Sequence, residues 1–569
     1  MHRDALRRVC SRYGVWASLA AACVVAFVWK LRIVAPIQYV GHADAAGYAE
    51  MAHSLIQGRG LEVDYISWYF RKYDAGIVRP EDHWPPLYSF LVVPFFLTMG
   101  RTALAAKMPS LLISAFAFPG VTAALAWRVS RSRAVALASG LCVLLYTPIF
   151  SMSLHCLSDV TFGFLVVGAL LCAVVAEGRP RWHVGVGVLL ALAYYAKGST
   201  IVLAPAFALY YLARRARRGA EPLWSGADRW VALSWAVFAL LLAPWVARNL
   251  THFGEPLYST QSHAAGYIGW KSWEEGTYSL YWGDEPPSLG DKLEDPARLA
   301  QTSVRHTKRH AWWLFARHGK NWGDFAVADI STYWLGIACL IGAAMVTVGA
   351  AWRWLTRRRA RDADRSAGIA SVAPYGLFAL VALAHVGFLS VCWEPISRLL
   401  MPLLPLVILG GWHTIHAVSA RIAAASGGGR RFGAVVVLAA LALWSEHELR
   451  DLWQLRENGG YAWREGGQGW MDVGRWLQEN APGSVTMTRN PWELHFYSQE
   501  SAVQIPLAPL DRISEVARYY GVTHLIPEAR RPMLAPLLSG EAPGLTEEFR
   551  SHDVVLYRFD PYAAAASER

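Results

Sequence analysis

The chain has 569 residues, of which 54% are hydrophobic and only 17% charged, and its mean hydropathy is +0.23. A soluble domain carries about 25% charged residues, so a purely water-soluble protein is excluded. The net charge of +11 does not indicate nucleic acid as a partner, because the basic residues gather in short loops between apolar blocks, the pattern that sets membrane topology.

The chain begins with a basic segment containing Arg3, Arg7 and Arg8, followed by an apolar run. No small-residue cleavage site follows, so this reads as an uncleaved first span. Further blocks nearly free of charge cover 15–29, 134–145, 160–176, 231–246, 330–351, 372–391 and 399–409. Several approach or reach the roughly 20 residues that cross a hydrocarbon core, and the pattern predicts a polytopic α-helical membrane protein of about 11–13 spans. Placing the basic clusters (Arg7 to Arg12, Arg128 to Arg133, Arg179 and Arg181, Arg214 to Arg218, Arg357 to Arg361, Arg421 to Arg431) in the cytoplasm gives a self-consistent path. The segments 37–86, 150–159, a turn near Lys197, 249–330, a turn at Glu394 to Arg398, and the tail after about residue 446 then face outward. Residues 87–98 form a juxtamembrane or re-entrant helix, and 103–127 the adjoining span.

The loop 249–330 is polar and rich in Tyr and Trp, and the tail changes character altogether. Apolar spacing predicts tail helices over 469–481 and 510–520, and short strands over 484–489, 502–507, 523–527 and 553–560. The expected organisation is therefore a transmembrane domain over 1–445, including outer loops of about 37–86 and 249–330, and a small extracytoplasmic α/β domain over 446–569. The seven cysteines are scattered without a CxxC pair, which indicates neither a disulfide framework nor a cysteine metal site.

On this topology several unusual polar residues fall on the outer face. Asp44 follows the first span, Asp82 and His83 precede Pro85-Pro86-Leu87-Tyr88, and His155 lies near Asp159. Lys197 interrupts an apolar stretch, Arg248-Asn249 follows Pro244-Trp245, and Glu394 and Arg398 flank a turn. Each has a plain structural reading. Asp44 is a natural N-cap for a helix over 45–57, Lys197 can snorkel, and Arg248 and Arg398 can anchor at the interface. His83 and Asp159 supply the nitrogen and oxygen donors that a divalent metal takes, and the aromatic loop suits an interfacial belt or a sugar ring. Convergence of both charge signs at one membrane face fits a site that holds an anionic lipid headgroup and removes a proton.

Four motifs give the sequence a family likeness: Asp44-Ala-Ala-Gly-Tyr48-Ala-Glu-Met-Ala52 followed by Gly58-Arg-Gly60; Pro85-Pro86-Leu87-Tyr88; Pro244-Trp245-Val-Ala-Arg248-Asn249 with Phe253-Gly254-Glu-Pro256; and Arg398-Leu-Leu-Met-Pro402-Leu-Leu-Pro405. In order and spacing the chain resembles the GT-C superfamily of integral-membrane glycosyltransferases, particularly bacterial relatives of protein O-mannosyltransferases and of lipid A aminoarabinose transferases. The resemblance implies transfer of a sugar from a polyprenyl-phosphate donor to a lipid, glycan or protein acceptor at the outer face of the bacterial cytoplasmic membrane. It implies Asp44 as general base in an inverting displacement and Asp159 as the second acid. Lys197, Arg248 and Arg398 would bind the donor phosphate. Tyr48, His83, Tyr88 and Glu394 would line the cavity, and His83 with Asp159 would hold any divalent metal. His83-Trp84 departs from the residues some relatives carry before the double proline. A transporter or flippase for polyprenyl-linked glycans is the alternative; it calls for internal repeats, which the sequence lacks.

Overall fold

The computed structural model describes residues 2–217, 224, 226–315, 334–345, 373–427, 429, 431–457, 467–527, 534–535 and 544–566. Among them, six helices are long and apolar enough to cross a bilayer by length and composition: Tyr13–Val34, Ala103–Ser130, Asp159–Ala176, Gly226–Phe253, Pro374–Cys392 and Phe432–Trp453. Leu87–Met99, Arg133–Leu145 and Trp334–Met345 are shorter apolar helices. The chain is thus a multi-pass helical membrane protein. The expected block 330–351 is seen over Trp334–Met345; its flanks, the end of the loop 249–330, the cluster Arg357 to Arg361 and parts of Arg421 to Arg431 lie outside the described residues.

Proline shapes one of these helices. Ala103–Ser130 carries Pro109 and Pro119, each of which removes a ladder donor, and a π turn at Ile113–Ala117 lies between them. The apolar helices pack on one another through Phe118, Val143, Leu170, Leu190 and Trp412, all fully buried.

Outside this bundle lies an α/β layer. The helices Gln468–Asn480 and Leu510–Tyr519, and the strands β4 (Val485–Thr488), β5 (Ser501–Gln504), β6 (His524–Ile526) and β8 (Val554–Phe559), fall where the sequence pattern puts them. The helix Pro491–Ser498 and strand β7 (Leu545–Ser551) were not legible in that pattern. The first outer loop supplies β1 (Glu62–Val63), β2 (Tyr65–Ile66) and β3 (Arg79–Pro80). β1 and β3 pair as a small ribbon, but β2 joins the tail. The six-stranded sheet runs β2-β5-β4-β6-β8-β7, parallel from β2 to β6 and antiparallel beyond. Tyr65 registers with Ala502 and Ile66 with Val503. A two-residue strand has no periodicity to read, so this partnership was invisible in the sequence. The helix Phe432–Glu457 also runs past residue 446, so the described α/β part of the tail starts at Gln468.

Candidate active site

Four charged side chains meet where four separate elements begin or end. Asp44 opens the helix Asp44–Ile56, and Asp159 opens Asp159–Ala176. Lys197 closes His183–Ala196 in an extended conformation, and Arg398 sits in the 3-10 turn Ser397–Leu400. Acids at helix N-termini and a lysine at a C-terminus match the helix dipoles. The Arg398 guanidinium donates to Asp44 Oδ2 at 2.8 Å and lies 3.6 Å from Asp159 Oδ2, while Lys197 Nζ lies 3.1 Å from Asp159 Oδ1. His385 Nε2 lies 2.7 Å from the carbonyl of Leu399 and so steadies the Arg398 turn.

Asp44 does not cap its helix. The N-cap position is Ala43, with φ 43° and no side-chain capping bond. The carboxylate therefore remains for Arg398. Burial pushes the Asp44 carboxyl up, but the Arg398 and Lys197 cations outweigh it and hold the group below the usual carboxylate range.

These groups border a cavity of about 580 Å³. Asp44, Tyr48, His83, Lys197, Glu394 and Arg398 all line it. Tyr48 OH is 2.9 Å from Ser158 Oγ, beside Asp159, and the Tyr48 carbonyl accepts from Ser89 Oγ at 2.8 Å. His83 lies 2.8 Å from Thr260 Oγ1, and burial pushes it down to about 4, so it is neutral at physiological pH. Glu394 is pushed up by burial, with Arg309 opposing. Gly47 lets the Trp84 indole close over the Asp44 helix; a Cβ there would sit 2.5 Å from the ring.

Three expected residues stand elsewhere. Asp159 is 1% exposed and reaches the cavity only through Lys197 and Arg398. Arg248 donates to the Glu81 carbonyl at 2.5 Å and packs over Trp245 and Phe253, so it braces the loop instead of facing the cavity. Tyr88 is buried with its hydroxyl on Ser110 Oγ at 2.8 Å and is a packing residue, not a cavity residue. The pair His83 and Asp159 does not suit a metal: the cations beside Asp159 occupy its carboxylate, and His83 is turned to Thr260. Among the described residues no three His, Cys, Asp or Glu side chains group in a way that could hold a metal ion.

Sequence reasoning offered the aromatics of the 249–330 loop, Trp273 and Tyr278 among them, as a surface for a sugar ring, but missed Trp68, Trp393 and Trp492, which complete an aromatic wall with them. Trp68 stacks on Tyr278 with ring centroids 6.0 Å apart and lies tilted against His83 at 4.8 Å and Trp492 at 5.4 Å. Trp273 and Trp393, 5.8 Å apart, line the cavity too. This wall draws on the first loop, the 249–330 loop and the tail, so only the assembled fold reveals it.

Charged groups at helix ends border one cavity beneath an α/β layer, and the fold that brings them together is shared with solved membrane transferases. ArnT from Cupriavidus metallidurans, solved bound to undecaprenyl phosphate, is similar over 97% of this chain and 99% of its own length, with a TM-score of 0.53 and 14% identity. The archaeal oligosaccharyltransferase AglB from Archaeoglobus fulgidus, in complex with an inhibitory peptide and a dolichol-phosphate, is similar over 91% of this chain and 69% of its own, with a TM-score of 0.56 and 12% identity. No protein-family model matches the chain, and no curated protein sequence does.

Proposed function

We propose that the protein transfers a sugar from a polyprenyl-phosphate donor to an acceptor hydroxyl or amine at the outer face of the bacterial cytoplasmic membrane. The observation that carries this reading is the Asp44–Arg398 pair in the cavity wall, with Lys197 beside it and Asp159 behind both cations. Carboxylate and cation are adjacent, as one displacement requires. Asp44 takes the proton of the acceptor as it attacks the anomeric carbon with inversion, and Arg398 and Lys197 stabilise the departing phosphate. The donor phosphate competes with Asp44 for Arg398. Its arrival loosens that pair and makes Asp44 a better base at the moment it is needed. The undecaprenyl phosphate bound by ArnT and the dolichol-phosphate bound by AglB support a lipid-phosphate donor. Asp159 acts by holding both cations in place.

The test is purified protein with a synthetic undecaprenyl-phosphate hexose and a lipid extract of the cell envelope as acceptor. Acceptor-dependent release of undecaprenyl phosphate, lost in Asp44→Asn, is expected. Saturable binding without turnover would instead mark a carrier.

A further inference from the structure

Building on the transferase reading, we infer that Glu493 of the tail is a positioning residue for Asp44: through His42 it holds the strained turn from which the Asp44 helix starts. Gly41 has φ 125° and Ala43 has φ 43° with ψ −101°. An alanine at positive φ persists only where its surroundings over-determine it. The turn has its own backbone bonds, from Ala45 N–H to the His42 carbonyl and from Gly47 N–H to the Ala43 carbonyl, but no side chain of the turn caps the helix, so side-chain constraint must come from elsewhere.

It comes from the helix Pro491–Ser498. Glu493 is buried and its carboxylate contacts Nδ1 of His42, whose side chain is half exposed. Tyr497 OH accepts the backbone N–H of Val40 at 2.8 Å, and its ring stacks on Tyr39 at 6.3 Å. Nε2 of His495 lies 3.1 Å from Glu50. Trp492 meets the edge of the His42 ring at 6.0 Å and continues into the cavity wall. The segment 39–50 is thus held on both sides of Asp44 by alternating grips from the tail. Of the polar contacts, the Glu493–His42 pair lies nearest Asp44 along the chain, two residues away. Arg489 and Asp44 are the other charges that act on His42. The tail is therefore part of the catalytic apparatus, and a displaced Asp44 would cost rate instead of donor affinity.

Purified full-length protein is compared as wild type, Glu493→Ala, His42→Ala, the double variant and Glu493→Gln. His42→Ala trims the pair from its half-exposed side, so it tests the idea even where loss of the buried Glu493 side chain prevents folding. Two quantities are read: turnover of the synthetic undecaprenyl-phosphate hexose with the envelope lipid extract, and backbone amide exchange over residues 40–47. Each alanine variant should lower kcat by about tenfold to a hundredfold with donor KM nearly unchanged, as misplacement of a reacting group does. The double variant should be no worse than the more impaired single variant, and Glu493→Gln, which still accepts from His42, should keep most of the rate. Exchange over 40–47 should rise about tenfold in the alanine variants. Glu515→Gln, which breaks an exposed pair with Arg512 on the same tail, should change neither. Wild-type kcat in His42→Ala, unchanged exchange, or a loss confined to KM would overturn the inference. If the wild type itself does not turn over, the transferase reading falls, and the exchange measurements alone decide whether Glu493 holds the turn.

Discussion

At the scale of single residues, Asp44 owes its position to what it does not do. An aspartate at the start of a helix invites the N-cap reading, yet its side chain bonds Arg398 and leaves the cap without a side-chain partner. Asp44→Asn keeps the size and one acceptor oxygen, so it should fold normally while kcat drops by roughly 10²–10⁴, the usual worth of a general base. Steady-state turnover beside a thermal melt checks both halves, and near-normal transfer would remove Asp44 from the mechanism. The low pKa carries a sign. A carboxylate held below its usual range stays ionised to more acid pH, so the acid limb of kcat/KM should lie below the ordinary aspartate value of about 3.9. Arg398→Gln removes the main cation holding it down and should move that limb upward, which a pH–rate profile of the variant reads directly.

These charged residues were legible from sequence because each interrupts or ends an apolar run, where a charge is costly unless used. Asp44, Lys197 and Arg398 came together as expected. Arg248 shared the same sequence signal and went elsewhere, since nothing in a span-end arginine says which way it turns. Tyr278 stood out only as one aromatic of the 249–330 loop, and Trp68 and Trp492 gave no signal, because a lone tryptophan reads equally as core, interface or sugar platform until its neighbours are known.

At the scale of elements, the central contact is between the helices Asp44–Ile56 and Pro491–Ser498. Glu50 is 1% exposed and lies between Arg101 and His495; Asp64 stands 3.8 Å from His495. Burial works against a charged His495, but Glu50 and Asp64, with a hydrogen bond to the Glu500 carbonyl, outweigh it and raise its pKa. A raised histidine contributes stability that is complete below its unfolded value of about 6.5 and is lost as pH rises through the folded value. Glu50 is buried too, but Arg101 and His495 hold it low, so its contribution is present above the ordinary glutamate range and lost as pH falls through the lowered value. Protection of 491–498 against amide exchange should therefore be greatest between about pH 4.3 and 6.5 and decline above it. His495→Gln should flatten the alkaline decline; a profile unchanged by that substitution would mean the histidine stays neutral. Packing in the same helix makes a second test. Gly47→Ala drives a Cβ into Trp84 and should cost about 1–3 kcal/mol, seen as a lower melting temperature.

At the scale of the whole molecule, the bundle and the outer layer are joined by chain exchange as well as by contact. Strand β2 leaves the first loop to become the edge of the tail's sheet, and Tyr69 and Tyr73 of that loop pack with Ile513, Val516 and Tyr520 of the tail. The boundary near residue 446 followed a change in composition, which marks where the chain leaves the membrane but not which outer segments fold together. Long apolar periodicity made the bundle legible; a two-residue strand paired across most of the sequence has no local pattern to display. A sheet whose edge comes from another loop should open as one unit with it. Amides of 62–70 and 485–504 should share a single exchange free energy in the full-length protein, since strands of one cooperative unit open together. Ile66→Pro, which removes a donor from the edge strand, should lower protection in both segments at once. Loss of protection confined to 62–70 would show that the tail folds without its borrowed strand, and that the first loop is merely attached to it.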